Sequence, residues 1–377
     1  MKDLNVQKFA FIIHPLDPKR DMARHPKYRV AKYLPESAVE WFMKRKEPMV
    51  ASHITGVRTP SGVEAEGWFV ACPLSPRQFM TLPTDFIYER LIQCGRIAEG
   101  LGAGIIGLGA FTSVVGDGGV TVAKNLNIAV TTGNSYTVAT AIEATRDGAM
   151  RMGIDMANAT VAVVGGTGSI GRTSAEILGA DAAHVVLIGR DLDRLDEARE
   201  SMPAGIRERT SVTTNIADGL RDADIVVTVT SAVDVVVQPE HLKIGCVVCD
   251  VARPRDVSIR VSKERDDVLV IEGGVVAVPG DDLDFGIGFG FPPKMAYACM
   301  SETMMLALEG RYESFTLGKT VSVAQVDQTT ELAKKHGFRL AGYRSFEKAV
   351  TEDQISRIRQ NADRRRSTST PPLAGVR

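Results

Sequence analysis

The stretch Thr160-Val-Ala-Val-Val-Gly165-Gly166-Thr167-Gly168-Ser169-Ile170-Gly171 constrains the fold more than any other part of the chain. Residues 160–164 form a β-branched run suited to a buried strand. The glycines after it permit a tight turn, and residues 170–178 have the spacing of a helix. A buried strand that turns through glycine into a helix is the repeating unit of a parallel sheet covered by helices. The surroundings agree with this. From Ala159 onward, strand-like runs at 160–164, 184–188, 225–230, 246–251 and 268–271 alternate with helical spacing.

Such a loop suits a dinucleotide. Gly165 allows the turn, Gly168 lets the backbone approach a pyrophosphate, and Gly171 lets the helix pack closely on the strand. Thr167, Ser169 and Ile170 complete the loop and the amide-rich first turn of the helix. The alternative is a purely structural turn in another α/β domain. The spacing, Gly-x-x-Gly-x-x-Gly, and Arg190 at the end of the second strand point to the phosphorylated cofactor, NADPH. A guanidinium suits a 2′-phosphate where an acidic residue would suit free ribose hydroxyls. Thr230 and Ser231 follow a strand ending at the same edge of the sheet and are expected near the nicotinamide.

The rest of the chain frames this domain. Residues 1–130 mix strand-like runs at 9–13, 50–57 and 68–72 with a helix over 85–101, an α+β substrate domain. A helix over 135–152 is stopped by Gly153. Pro292-Pro293 is expected to open a helix through Leu308, followed by a shorter one over 326–336. The predicted fold class is α/β: a Rossmann-type parallel sheet over 131–290, the α+β domain over 1–130, and a C-terminal helical segment over 291–350. The charged end, 351–377, with Arg364-Arg365-Arg366 and a Ser/Thr/Pro run, is expected to be disordered.

A chain of 377 residues with 45 Lys+Arg against 46 Asp+Glu has no overall field for nucleic acid or an anionic surface. No segment has the length and apolarity of a membrane span. Five cysteines, an odd number, suit reduced thiols and a cytoplasmic setting. Cys246 and Cys249 lack a second ligand pair, so packed thiols are expected there; the scattered histidines give no metal site. Tyr28 and Lys32 have the Tyr-x-x-x-Lys spacing of short-chain dehydrogenases but lie far before the glycine loop, and the match is taken as coincidence. Cys299, downstream of the last Rossmann strand, fits either a small buried hydrophobe or a nucleophile.

Residues 108–113 (LGAFTS), 131–134 (TTGN), 161–165, 272–276 (EGGVV), Ala298-Cys299, 308–310 and 336–338 together resemble the long-chain acyl-[acyl-carrier-protein] reductases of cyanobacteria, over about residues 108–340. The segment 277–291 departs from that family. The resemblance implies NADPH-dependent reduction of a fatty acyl thioester to a fatty aldehyde, with Cys299 as the acylated nucleophile. It also implies an acyl carrier protein or coenzyme A as acyl donor. Ser113, Thr132, Asn134, Tyr297, Ser301 and Glu302 are the polar groups expected near the thiol; Glu302 would disfavour a thiolate unless it binds elsewhere or moves a proton. The basic residues Lys19, Arg20, Arg24, Lys27, Arg29 and Lys32, with 44–46, are the expected dock for an acidic carrier. Two other readings remain open: a shikimate- or semialdehyde-type dehydrogenase without a covalent intermediate, and a non-catalytic NADP(H)-binding regulator.

Overall fold

The computed structural model describes residues 6–24, 26–232, 234–288 and 290–369. The chain divides into two compact units, each built from two stretches: Met1–Ala139 with Gly274–Ala341, and Thr140–Gly273 with Gly342–Arg377. In chain order the strands are β1 (Gln7–Ile13), β2 (Met49–Arg58), β3 (Glu64–Ala71), β4 (Ile105–Gly107), β5 (Ala129–Thr131), β6 (Thr160–Val164), β7 (His184–Ile188) and β8 (Thr210–Thr213). They continue with β9 (Ile225–Thr228), β10 (Val247–Asp250), β11 (Leu269–Glu272), β12 (Val275–Ala277), β13 (Met295–Tyr297), β14 (Arg339–Leu340), β15 (Arg344–Ser345) and β16 (Lys348–Ala349).

In the first unit the main sheet runs β2-β3-β1-β4-β5, parallel except for the antiparallel edge strand β2. Strand β1 explains why both faces are covered. Phe9 and Phe11 face one side, Ala10 and Ile12 the other, and all four are buried. The first face shares a core with Met300, Met304 and Leu306 of the helix Ala298–Leu308. The second shares one with Ile87, Leu91, Cys94 and Ala98 of the helix Thr84–Gly100. Each large side chain buried this way contributes about 1.5–3 kcal/mol relative to exposure. A small antiparallel sheet, β13-β12-β14, completes the unit.

Strand β13 corrects the expected helix from Pro292. Lys294 has φ 66, a left-handed conformation that a helix cannot contain, and Met295–Tyr297 pairs antiparallel with β12. The helix therefore begins at Ala298. Cys299 lies in its first turn, not its middle. The stretch 291–350 is likewise no separate segment, because residues to Ala341 fold into the first unit and the rest into the second.

The second unit holds a six-stranded sheet, β11-β10-β9-β6-β7-β8, parallel throughout. The strand order reverses between β6 and β9, the switch point where doubly wound sheets bind ligands outside their strand ends. Strand β8 was not expected; Thr-Ser-Val-Thr carries one large apolar side chain because it is an edge strand. The expected disordered end is helical over Glu352–Ser369, where Ile355 and Ala362 are buried and Arg365 pairs with Asp266 and Asp267. Residues 370–377 lie outside the described residues.

Candidate functional site

In the first unit Cys299 stands over the carboxyl ends of the parallel strands β4 and β5. The loop after β5 passes so close to it that a methyl group on Gly133, at φ 73, would lie 2.2 Å from Cys299 Cα and 2.3 Å from its Cβ. Only glycine fits there. A methyl on Gly109, in the loop after β4, would lie 3.2 Å from the Cys299 sulfur. The next residue, Ala110, has φ 47 and ψ −127, a strained conformation for a residue with a Cβ. Cys299, half-buried, is thus set against backbone on two sides, at the positive end of an eleven-residue helix.

Glu302, one turn further on, is fully buried, and its carboxylate is turned to other partners. Oε1 accepts hydrogen bonds from the Thr131 hydroxyl at 2.5 Å and the Thr316 hydroxyl at 2.8 Å. Oε2 accepts from the Ser135 hydroxyl at 2.6 Å and the Tyr136 amide at 3.0 Å. Four donors on one carboxylate fix the helix to the loop that carries Gly133. Glu302 therefore binds elsewhere, the first of the two possibilities the sequence left for it.

The other polar candidates are largely committed to backbone. Ser113 donates to the Ala110 carbonyl at 2.8 Å, Thr132 to that of Thr316 at 2.6 Å, and Ser301 to that of Tyr297 at 3.2 Å. Asn134 is buried at the start of the helix Asn134–Met152, and Tyr297 packs edge-on against Phe291.

His14, which the sequence reading passed over, follows β1 at the same sheet edge. Its Nδ1 lies 3.2 Å from the Pro15 carbonyl, its Nε2 is buried without a partner among the described residues, and its ring packs on Phe79 and Phe111. Burial holds its pKa down at about 4, against weaker opposing effects of the Pro15 carbonyl and Asp21. The only signal was a lone His-Pro closing an apolar strand.

In the second unit the glycine loop has the form a dinucleotide needs. Gly165 has φ 90, and the amides of Gly165 and Gly166 both donate to the Ile188 carbonyl, at 2.9 and 3.1 Å. A methyl on Gly171 would lie 2.3 Å from the Gly165 carbonyl oxygen. Gly168 is exposed at the N-cap of the helix Ser169–Asp181, with Thr167 before it and Ser169 and Ile170 in the first turn. Amides and dipole together favour an anion at this end of the helix. Arg190 is exposed after β7 and has no ion-pair partner among the described residues. Asp191 beside it caps the next helix through the Arg194 amide at 3.2 Å.

Thr230, expected near the nicotinamide, donates its hydroxyl to Asp256 at 2.5 Å and its amide to the same carboxylate at 2.9 Å, and Thr228 donates there as well. Asp256 is buried, and that burial raises its pKa. It fixes the end of β9, and Ser231, like Thr230, is half-buried.

Cys246 and Cys249 are buried, and desolvation pushes both thiols up to about 12. Tyr28 lies at a kink with its ring against Phe42. Among the described residues no group of three or more His, Cys, Asp or Glu is placed to hold a metal ion, and no helix is long and apolar enough to cross a membrane.

Residues 148–272 match the shikimate/quinate 5-dehydrogenase family. The chain is 28% identical over 365 residues to the aminotransferase PigE of Serratia sp. (strain ATCC 39006), a match covering 94% of this chain and 42% of that protein. The chain thus spans less than half the length of that relative. It is 26% identical over 355 residues to the long-chain acyl-[acyl-carrier-protein] reductase of Synechococcus elongatus, covering 88% of this chain and 98% of that one. Among solved structures, the L-tryptophan dehydrogenase of Nostoc punctiforme aligns over 97% of this chain and 90% of its own, with TM-score 0.40 and 10% identity. The loop, the sheet order and the matched domain make this chain an α/β protein that binds NADP(H).

Proposed function

We propose that the protein reduces a long-chain fatty acyl thioester, carried on acyl carrier protein or coenzyme A, to a fatty aldehyde through an acyl-enzyme on Cys299. The observation that carries this reading is the seat of Cys299, half-buried in the first turn of a helix with Glu302 held away from it by four donors. The similarity to an acyl-[acyl-carrier-protein] reductase along nearly its whole length supports it.

The Cys299 thiolate attacks the thioester carbonyl, the carrier leaves as its thiolate, and a proton on that sulfur completes the exchange. The helix N-terminus favours negative charge where the attack occurs. NADPH, once bound, would supply the hydride equivalent that reduces the enzyme-bound thioester. The resulting thiohemiacetal collapses, returning the electron pair to the Cys299 sulfur and releasing the aldehyde. Arg190 is assigned to the 2′-phosphate through charge-assisted hydrogen bonds, so Arg190→Ala should weaken NADPH binding about tenfold to a hundredfold and leave NADH binding nearly unchanged.

A palmitoyl thioester without NADPH should add one acyl mass to the peptide containing Cys299, and adding NADPH should release aldehyde. Cys299→Ala should do neither while still binding NADPH. The match of residues 148–272 to a dehydrogenase family favours a second reading, direct hydride transfer without an acyl-enzyme. Aldehyde formation by Cys299→Ala at more than a few per cent of the parent rate would select it.

A further inference from the structure

Three short helices near the N-terminus, the first of them Pro18–Arg24, carry a surface that neither Cys299 nor the glycine loop uses. The 3-10 helix Pro26–Tyr33 and the helix Glu36–Met43 turn Ala31, Val39 and Met43 inward, where they form a small core with Met22. Outside, Tyr33 is 76% exposed, Trp41 60% and Val30 59%, with Leu34 exposed beside them. Large apolar side chains grouped this way mark an interaction surface.

Cations lie directly on these rings. The Arg45 guanidinium is 3.7 Å from the centre of the Trp41 ring, Lys32 Nζ is 4.6 Å from that of Tyr33, and Lys46 Nζ is 4.6 Å from that of Phe42. Lys27 and Arg29 add exposed charge. Of the nearby carboxylates, Glu40 accepts the Ser75 hydroxyl at 2.5 Å and Glu47 pairs with Arg90 at 2.7 Å, while Glu36 is exposed.

We propose that this cap docks the protein on the surface of an anionic bilayer, with Tyr33 and Trp41 at the headgroup boundary and the basic side chains against lipid phosphates. An exposed ring with a cation stacked on it is apolar at its body and charged at its edge, which matches the polarity gradient of that boundary. An acidic carrier would satisfy the cations but supplies no apolar layer for side chains as exposed as Tyr33 and Trp41. Apolar and electrostatic anchors are each weak alone and act together at a lipid surface. The docking stands independently of the proposed reaction; only its usefulness, the release of a lipid-soluble aldehyde, rests on that reading.

Trp41 and Trp68 are the two tryptophans of the chain, so Trp68→Phe leaves Trp41 as a sole fluorescent reporter. With vesicles of equal parts phosphatidylglycerol and phosphatidylcholine, its emission should shift to the blue and be quenched by brominated acyl chains. Pure phosphatidylcholine should bind at least about tenfold more weakly. In co-sedimentation, the double variant Tyr33→Ser, Trp41→Ser should lose at least about tenfold in vesicle affinity, while an unchanged circular-dichroism spectrum and melting temperature certify its fold. Unshifted Trp41 emission in excess anionic vesicles would overturn the proposal. So would shielding of Trp41 by acyl carrier protein but not by vesicles, which would mark a protein dock. Acylation of Cys299 is measured without vesicles, so neither result bears on the other.

Discussion

Glu302 is a buried carboxylate whose four hydrogen-bond donors come from three different parts of the first unit. Glu302→Gln keeps the size but turns one acceptor into a donor. Hydroxyls can rotate to suit it, whereas the Tyr136 amide cannot. The variant should lose about 1–3 kcal/mol in urea unfolding, and Glu302→Ala, which orphans every donor, should lose more. Stability equal to the parent's would show that the network contributes nothing.

His14 gives the same unit a pH signature. Its folded pKa of about 4 is below the unfolded value near 6.5, so the contribution of the neutral ring is complete above 6.5 and is lost as pH falls towards about 4. The loss is on the order of 3 kcal/mol. Asp250, in the other unit, is raised by burial to about 6 and acts in the opposite sense, gaining stability over an overlapping range. The parent's profile therefore hides both, and the comparison with His14→Phe isolates one. The variant should lose less stability than the parent between pH 6.5 and 4; identical profiles would show that the ring is not buried neutral. Residues such as these were hard to read in sequence because their chemistry depends on partners distant in the chain. Glu302 could be suspected only as a neighbour of Cys299, and Gly133 only as part of a shared string.

Among the elements, β6 and β7 could be placed to the residue because continuous β-branched runs end at glycine. The misplaced elements have a common physical cause. Strand β8, at a sheet edge, and the helix Glu352–Ser369, with Ile355 and Ala362 buried along an otherwise charged face, bury too few side chains to leave a periodic signal. The start of the Cys299 helix is set by a left-handed backbone at Lys294, which no propensity of lysine announces.

The glycine loop allows a paired test of element against ligand. At Gly171 a Cβ would meet the Gly165 carbonyl oxygen at 2.3 Å, so Gly171→Ala must push the helix off the strand. At Gly168 the nearest atom would be 3.4 Å away, and the backbone is ordinary at φ −77. Gly171→Ala should lower the melting temperature and the NADPH affinity together. Gly168→Ala should melt like the parent and weaken only NADPH, by at least about tenfold if the pyrophosphate crosses that Cα. Equal melting temperatures for all three proteins would remove the packing role of Gly171.

At the scale of the whole molecule, the sequence pattern revealed the parallel sheet but not which stretches belong together. The helix Ala298–Leu308 buries nearly every side chain, so its place in the first unit's core could not be read from a window of neighbouring residues. The second unit is likewise discontinuous: Glu272 at the end of β11 accepts the Glu347 amide at 2.7 Å, Arg151 pairs with Glu352 at 2.5 Å, and Tyr343 bonds Asp147. If these contacts define one folding unit, residues 134–273 joined to 342–369 by a short glycine-serine linker should unfold in one cooperative transition. Saturation with NADPH at a hundred times its dissociation constant should then stabilise that protein by about 2.7 kcal/mol. The same stretch ending at Gly273 should be less stable by a few kcal/mol, because it loses the buried Ile355 and Ala362 and the pairings of Arg365. Calorimetry of both proteins with and without NADPH decides the matter. A joined protein with no cooperative transition would show that the division at Gly273 and Gly342 is one of geometry and not of folding.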